Sequence, residues 1–487
     1  MTRALRKLFI DCFSLPVLLF TFCLWIPSYI VLVELGATLS TLNIVTLLVI
    51  LIGCLGVTTV RITMVPMRLW FPITWFLLTT GVYYGFGPLV YYCGTSETID
   101  YINAYYPLTD VVIFRTNILT LIGVTGVIGT YLLLKNTFAL KGGRNAHYEI
   151  KESRFDKRTL CAISLIFVLI GVPIKIFFVL PYVLGLSTVV LPGSIQAFGV
   201  FSTLAMIPLS LLTSRWRGYY RIAFSVLILF ELITAFIQLR KLELLVMLIV
   251  LVLAKVMQGT TFRQLAWIGV LSVLAYAMIL TPIVMYGRIA FNVKGLRETS
   301  EMVQLVQNFN SGYLKDNLEI VLPGVQSWWG RLSYANAQAF AIDAYETGQP
   351  GDTLMLAVWV MVPRLLYPDK PHTTTGDKFN ELVTGSAESN SAPGMFAEGY
   401  WNAGWPGLFF VVVVMAFFYW GWERYTQARL ASGKIMQYLP VIWVGLSPAM
   451  RQDSWFIPGT IGVLPIAFVF HWLGRLLVFR RIPLGVR

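Results

Sequence analysis

Several short stretches of this chain gather residue types that can grip a phosphate or move a proton. The first is Gln238-Leu239-Arg240-Lys241-Leu242-Glu243, where two cations sit side by side at a turn between apolar runs. Arginine offers a planar fork that matches phosphate oxygens, and lysine adds a mobile point charge. The pair suits a phosphate or diphosphate; the plainer alternative is that both side chains snorkel to lipid phosphates. Glu231 lies earlier in the same apolar run. A carboxylate there either faces a basic residue on a neighbouring helix or lines a polar cavity. Arg288 ends a later apolar run and either joins the anion site or anchors at the membrane interface.

The stretch 363–379 (PRLLYPDKPHTTTGDKF) brings together Arg364, Asp369, Lys370, His372, Asp377 and Lys378. His372 has the side chain best suited to proton transfer near neutral pH, and Arg364 and Lys370 are further phosphate ligands; the alternative for each is an ordinary loop residue. In 394–410 (GMFAEGYWNAGWPGLFF), Glu398 stands among aromatics and glycines. Partial burial there would raise its pKa and fit it for acid or base work. Tyr400, Trp401 and Trp405 can stack on sugar faces or form an interfacial aromatic belt. Arg451 and Asp453 are expected to pair in a salt bridge.

These groups need a scaffold, and composition says which kind. Of 487 residues, 57% are hydrophobic and only 13% charged, so lipid as well as core must cover apolar positions. Apolar runs near 13–33, 41–60, 69–92, 112–134, 159–181, 196–213, 222–238, 243–257, 266–286, 405–422, 437–450 and 458–478 predict about twelve transmembrane helices in an all-α polytopic membrane protein. The basic start (Arg3, Arg6, Lys7) meets no small-residue cleavage site, so the first helix is expected to be retained. Net charge is +13, yet 287–403 carries 8 Lys and Arg against 12 Asp and Glu, leaving +17 elsewhere. Cations concentrated in alternate short loops orient the chain with both termini cytoplasmic, and are no sign of nucleic-acid binding.

The organisation expected is a membrane bundle over 1–286, an outer region over 287–403, and a second bundle over 404–487. Within the outer region the pattern predicts helices over 302–313 and 328–347, a re-entrant or interfacial segment over 354–367, and a loop over 368–394. There is no P-loop, HExxH or Asp-x-Asp pattern, and His147, His372 and His471 are scattered, so ATP-driven transport and metal chemistry have no candidate. The five cysteines form no disulfide framework, and no cofactor is expected.

The order of features resembles that of the bacterial polysaccharide repeat-unit polymerases, the Wzy type, which includes O-antigen and exopolysaccharide polymerases. The matching pieces are Arg240, Pro363-Arg364, Pro368-Asp369-Lys370-Pro371, and Glu398-Gly399-Tyr400 with Asn402 and Gly404. The resemblance implies a GT-C-like fold and a metal-independent inverting glycosyltransferase at the periplasmic face of the bacterial inner membrane. Its substrate would be an undecaprenyl-diphosphate-linked oligosaccharide, with chain-length regulator and flippase proteins as partners beside membrane lipid. Arg240, Lys241, Arg288, Arg364 and Lys370 are then expected at the diphosphate, His372 or Glu398 as base, and Tyr400 and Trp401 at the sugar. The nearest alternatives are an O-antigen ligase and a lipid-linked glycan flippase or transporter.

Overall fold

The computed structural model describes residues 13–104, 106–138, 155–184, 186–187, 193–216, 218–238, 241–276, 327–362, 367, 376–385 and 391–476. Among these residues the regular elements are all helices, with no strand. Eight of the helices are long and apolar enough to cross a bilayer: Leu15–Glu34, Leu39–Met64, Asp110–Thr137, Lys157–Val183, Ala197–Arg215, Tyr219–Ile237, Met395–Ala431 and Ile457–Leu476. The protein is an all-α, multi-pass membrane protein.

The expected span over 69–92 is broken into short pieces. A 3-10 turn at Pro66–Trp70 leads to an α-helix at Pro72–Thr80, a π-helical turn at Gly81–Phe86, a 3-10 turn at Gly87–Leu89 and a last α-turn at Val90–Cys93. Pro66, Pro72 and Pro88 withhold backbone donors, and the glycines admit close neighbours. A Cβ on Gly87 would lie 2.1 Å from the Leu332 carbonyl oxygen. Trp329 Nε1 donates to the Phe86 carbonyl at 2.9 Å, satisfying an acceptor at the break.

The chain folds as two compact units. The first comprises Met1–His147, Gly324–Gln427 and Trp443–Pro465. Its Asp110–Thr137 helix, 28 residues and so about 42 Å long, gives the unit two ends. At the Asp110 end, Val90, Ile102, Leu108, Ile113, Ala335 and Ala339 form a core. Where the alternative to burial is water, each large apolar side chain of this kind contributes about 1.5–3 kcal/mol. The Ala335–Glu346 helix is fixed there by Asn336 Nδ2, which donates to the carbonyls of Ile102 (3.1 Å) and Tyr106 (2.8 Å). Asn43 Nδ2 donates to Tyr92 Oη at 2.8 Å and to the Asp110 carbonyl at 2.9 Å, and Tyr92 donates to Asp110 Oδ1 at 2.7 Å. Thr109 accepts from the Val112 N–H, so this helix start is capped as well as tied to its neighbours.

Three expectations for the outer region meet the structure. The helix expected over 328–347 is present as Ser327–Gly330 and Ala335–Glu346. The segment 354–367 holds a 3-10 turn at Thr353–Leu356 and a five-residue helix at Ala357–Met361, far too short to cross a bilayer. The loop expected over 368–394 needs correction, because it contains the helix Gly376–Thr384. Burial outweighs its turn-rich composition: Phe379 is inaccessible and packs edge-on against Phe340, Trp401 and Trp455. The helix expected over 302–313 lies outside the described residues.

The second unit comprises Tyr148–Pro323, Ala428–Ile442 and Ile466–Arg487. Its Lys157–Ile174 helix continues through a π-helical turn at Lys175–Val179. Gly171 permits close approach to the next strand of chain, since a Cβ there would lie 2.1 Å from the Ser202 backbone nitrogen. Lys175 Nζ meets Glu231 Oε2 at 2.5 Å, both side chains almost inaccessible, and Thr203 Oγ1 donates to the same oxygen at 2.7 Å. Of the two alternatives for Glu231, the basic partner on a neighbouring helix is the one observed.

Candidate functional site

At the Asp110 end of the first unit, polar side chains from the Asp110–Thr137 helix, the Ala335–Glu346 helix and residues 398–402 come together. Their foundation is a corner at 394–407. The Met395–Ala431 helix is interrupted at Ala403 and Gly404, and Gly404 has φ +62° and ψ −143°, a region essentially reserved for glycine. Gly399 and Gly407 approach so closely that a Cβ on Gly407 would lie 2.0 Å from the Gly399 carbonyl oxygen. Glu398 is inaccessible. Its Oε1 accepts from Thr353 Oγ1 at 2.8 Å, and its Oε2 accepts from the Phe456 N–H. Asn402 Nδ2 donates to Thr353 Oγ1 (2.8 Å) and to the Glu398 carbonyl (2.7 Å), while its Oδ1 accepts from Leu354 N–H at 2.9 Å. The Glu-Gly-Tyr-x-Asn-x-Gly pattern thus ties three chain segments into a rigid corner.

The corner sets the position of a cleft of about 210 Å³. Phe114, Arg115, Ile118 and Leu119 line it from the Asp110–Thr137 helix, Ile342 and Glu346 from the Ala335–Glu346 helix, and Tyr400 and Trp405 from the corner. Arg115 Nη1 contacts Asp343 Oδ1 at 3.2 Å and Glu346 Oε2 at 3.0 Å. These exposed pairs add little stability, so their significance is positional. Tyr400 Oη donates to Glu346 Oε1 at 3.3 Å, and Tyr106 donates to Asp343. Burial, and then the Asp343 carboxylate, push the Tyr106 hydroxyl up to about 12, so it stays a donor. Trp405 keeps 47% of its surface exposed. An open aromatic face beside planar hydrogen-bonding groups is the chemistry that holds a sugar ring: apolar contact below, directed bonds at the hydroxyl edge.

At the other end of the Ala335–Glu346 helix, about 16 Å away along its axis, Tyr334 Oη donates to Asp453 Oδ2 at 3.0 Å. Asp453 Oδ1 is buried and finds no hydrogen-bond partner among the described residues, and the same is true of Arg331 Nε, Ser333 Oγ, Gln338 Nε2 and Trp455 Nε1. Five such atoms on two segments joined by one hydrogen bond are more than a finished core leaves. Burial holds the Asp453 carboxyl above the usual range, against the opposing pull of Arg451 and the Tyr334 hydrogen bond. The salt bridge expected between Arg451 and Asp453 is replaced by this tyrosine contact, and no such ion pair forms within 4.0 Å.

Of the residues the sequence singles out, Arg240, Arg288, Arg364, Lys370 and His372 lie outside the described residues, and Lys241 opens the Lys241–Met257 helix. Glu398, Tyr400 and Trp401 all belong to the corner. Trp401 is boxed by Phe379 and Trp455, with its Nε1 donating to the Gln349 carbonyl at 3.0 Å, so its faces are covered by protein. Tyr400 and Trp405 border the cleft. Sequence reasoning missed Arg115, Asp343, Glu346 and Tyr334. One signal was available: Arg115 stands near the acidic end of its span, where loop-charge bias disfavours a cation and a specific partner is the usual reason for one. The chain matches no family model, no curated protein and no solved structure.

Proposed function

We propose that this protein is a glycan-transferring enzyme of the bacterial inner membrane that joins lipid-diphosphate-linked oligosaccharide repeat units into a long polymer. In this reading the chain crosses about twelve times, both termini are cytoplasmic, and the Asp110 end of the first unit faces the periplasm. The observation that carries the reading is the cleft, in which the exposed Trp405 and the Tyr400 hydroxyl stand beside Arg115 and Glu346. A donor already joined to diphosphate stores the driving force, so the protein must only position, stabilise the leaving group and accept a proton.

Within the first unit the sugar would lie against Trp405, and its hydroxyls would exchange bonds with Glu346 and Arg115. His372, Arg364 and Lys370 keep their roles as base and diphosphate ligands. Asp453 joins them as a second candidate base, because its Oδ1 is free of hydrogen bonds among the described residues, whereas both oxygens of Glu398 are engaged. An oligosaccharide, unlike a single sugar, is long enough to span from the cleft to Asp453.

The test is incubation of purified protein with a synthetic lipid-diphosphate repeat unit, with products resolved by length. A ladder is expected, and Trp405→Ala should shorten it chiefly by raising KM. A folded protein that transfers nothing, or adds one unit to a different acceptor and stops, refutes the polymerase reading.

A further inference from the structure

The Thr137 end of the first unit holds a second charged cluster that the proposed reaction does not use. Arg61 comes from the last turn of the Leu39–Met64 helix, Arg68 from the Pro66–Trp70 turn, Lys135 from the last turn of the Asp110–Thr137 helix, and Glu423 from the Met395–Ala431 helix. Glu423 is buried, and it is already engaged. Its Oε2 accepts from Tyr131 at 2.7 Å, and its Oε1 accepts from Gln427 at 3.1 Å with Lys135 Nζ at 3.8 Å. No carboxylate among the described residues lies within 4.0 Å of either arginine.

Arg61 is only 8% exposed, and its Nε makes a long 3.4 Å hydrogen bond to Thr74 Oγ1. The Tyr131 hydroxyl lies beside it. A cation so enclosed cannot reach water freely, so snorkelling does not account for it. Burial, then the like charge of Arg61, hold Arg68 below the usual arginine range. Three cations around one occupied carboxylate leave a local excess of positive charge. Such an excess in a buried place is normally matched by an anion. Lys135 is half exposed, so it stands at the mouth of the cluster with Arg61 at its floor.

We propose that Arg61, Arg68 and Lys135 form a phosphate-binding site at the Thr137 end, opposite the sugar cleft, that takes the phosphate of an anionic lipid headgroup or of a free phosphate ion. Two guanidinium forks and an ammonium suit a tetrahedral oxyanion, and the nearby buried carboxylate limits how tightly it is held.

The test uses the full chain in detergent, titrated with phosphatidylglycerol, phosphatidylcholine and inorganic phosphate and read by native mass spectrometry. One phosphatidylglycerol should be retained in preference to phosphatidylcholine. Lys135→Gln and Arg68→Gln should each weaken its retention about fivefold, the effect of one cation near an anionic headgroup. Glu423→Gln keeps an acceptor for Tyr131 but removes the opposing charge, so it should tighten retention by a similar factor, which a merely structural loss would not do. Displacement of the lipid by inorganic phosphate assigns the site to phosphate from either source; resistance to displacement assigns it to the headgroup. Equal retention of the two lipids, unchanged by Lys135→Gln and Arg68→Gln, or weaker binding in Glu423→Gln, overturns the proposal.

Discussion

Substitutions at Glu398 distinguish a structural bracket from a catalytic base. Glu398→Ala removes the acceptor for both the Thr353 hydroxyl and the Phe456 N–H at a site with no solvent access. A buried donor left without a partner costs about 1–3 kcal/mol, so the pair costs roughly 2–6 kcal/mol, before any cavity contribution. Glu398→Gln keeps the shape. Its amide oxygen can still accept from Phe456 N–H, and its NH2 can donate to the spare lone pair of Thr353 Oγ1, so the expected loss is about 1 kcal/mol. Unfolding midpoints in detergent, followed by tryptophan fluorescence, should therefore rank native, Gln, then Ala far below. A double-mutant cycle with Thr353→Val should return a coupling of about 0.5–3 kcal/mol. In the polymer assay Gln should retain activity. If Gln and Ala are equally inactive while both unfold like the native protein, the bracket reasoning is wrong and Glu398 takes part in the chemistry.

Other expectations follow from single features. Gly404→Ala forces an L side chain into a glycine-only conformation and against the Tyr345 ring, 2.8 Å away, so it should cost about 1–3 kcal/mol in strain alone; Tyr345→Ala in the same chain should relieve the clash but not the strain, as thermal midpoints will show. Lys175→Met leaves Glu231 buried and unpaired and should cost about 3–5 kcal/mol, whereas Lys175→Met with Glu231→Leu should recover most of the yield of folded protein. Asp453 has a raised pKa in the folded chain, so the native state keeps a proton that the unfolded chain releases near the ordinary aspartate value of about 3.9. Stability from this group therefore falls as pH rises from that value through the raised one, and Asp453→Asn should flatten that slope in midpoints measured across pH.

How much was legible in the sequence depended on how local the cause was. Most of the long spans are readable because lipid imposes one demand on every residue of an apolar run. The break over 66–93 left only hints, in the prolines and glycines, because what holds it open is Trp329 and Leu332, far away in the chain. At the candidate site the sequence singled out Glu398, Tyr400 and Trp401, and the structure shows what each of them touches within the fold. Glu398 drew attention as an acid or base, and Asn402 and Gly404 as pieces of a recurring motif; in the structure Glu398 and Asn402 are hydrogen-bonded to neighbouring segments, and Gly404 makes the sharp corner between them. A residue type does not reveal whether it faces a ligand or a neighbour. Arg115 and Asp343 are 228 residues apart, and Tyr334 and Asp453 are 119 apart, so no periodicity or spacing rule can pair them. Helix Gly376–Thr384 was missed because Phe379 is anchored by three distant rings.

The clamp at Phe86 bears on how this end of the molecule can move. Phe86 stacks on Trp329 with ring centres 5.1 Å apart, and the indole bonds the Phe86 carbonyl. The dependence is mutual. The 66–93 segment cannot straighten into a regular helix without expelling the indole, and residues 327–334 cannot lift without baring that oxygen. Among the described residues, these two segments therefore hold or give way together, and a change that frees one is expected to loosen the other.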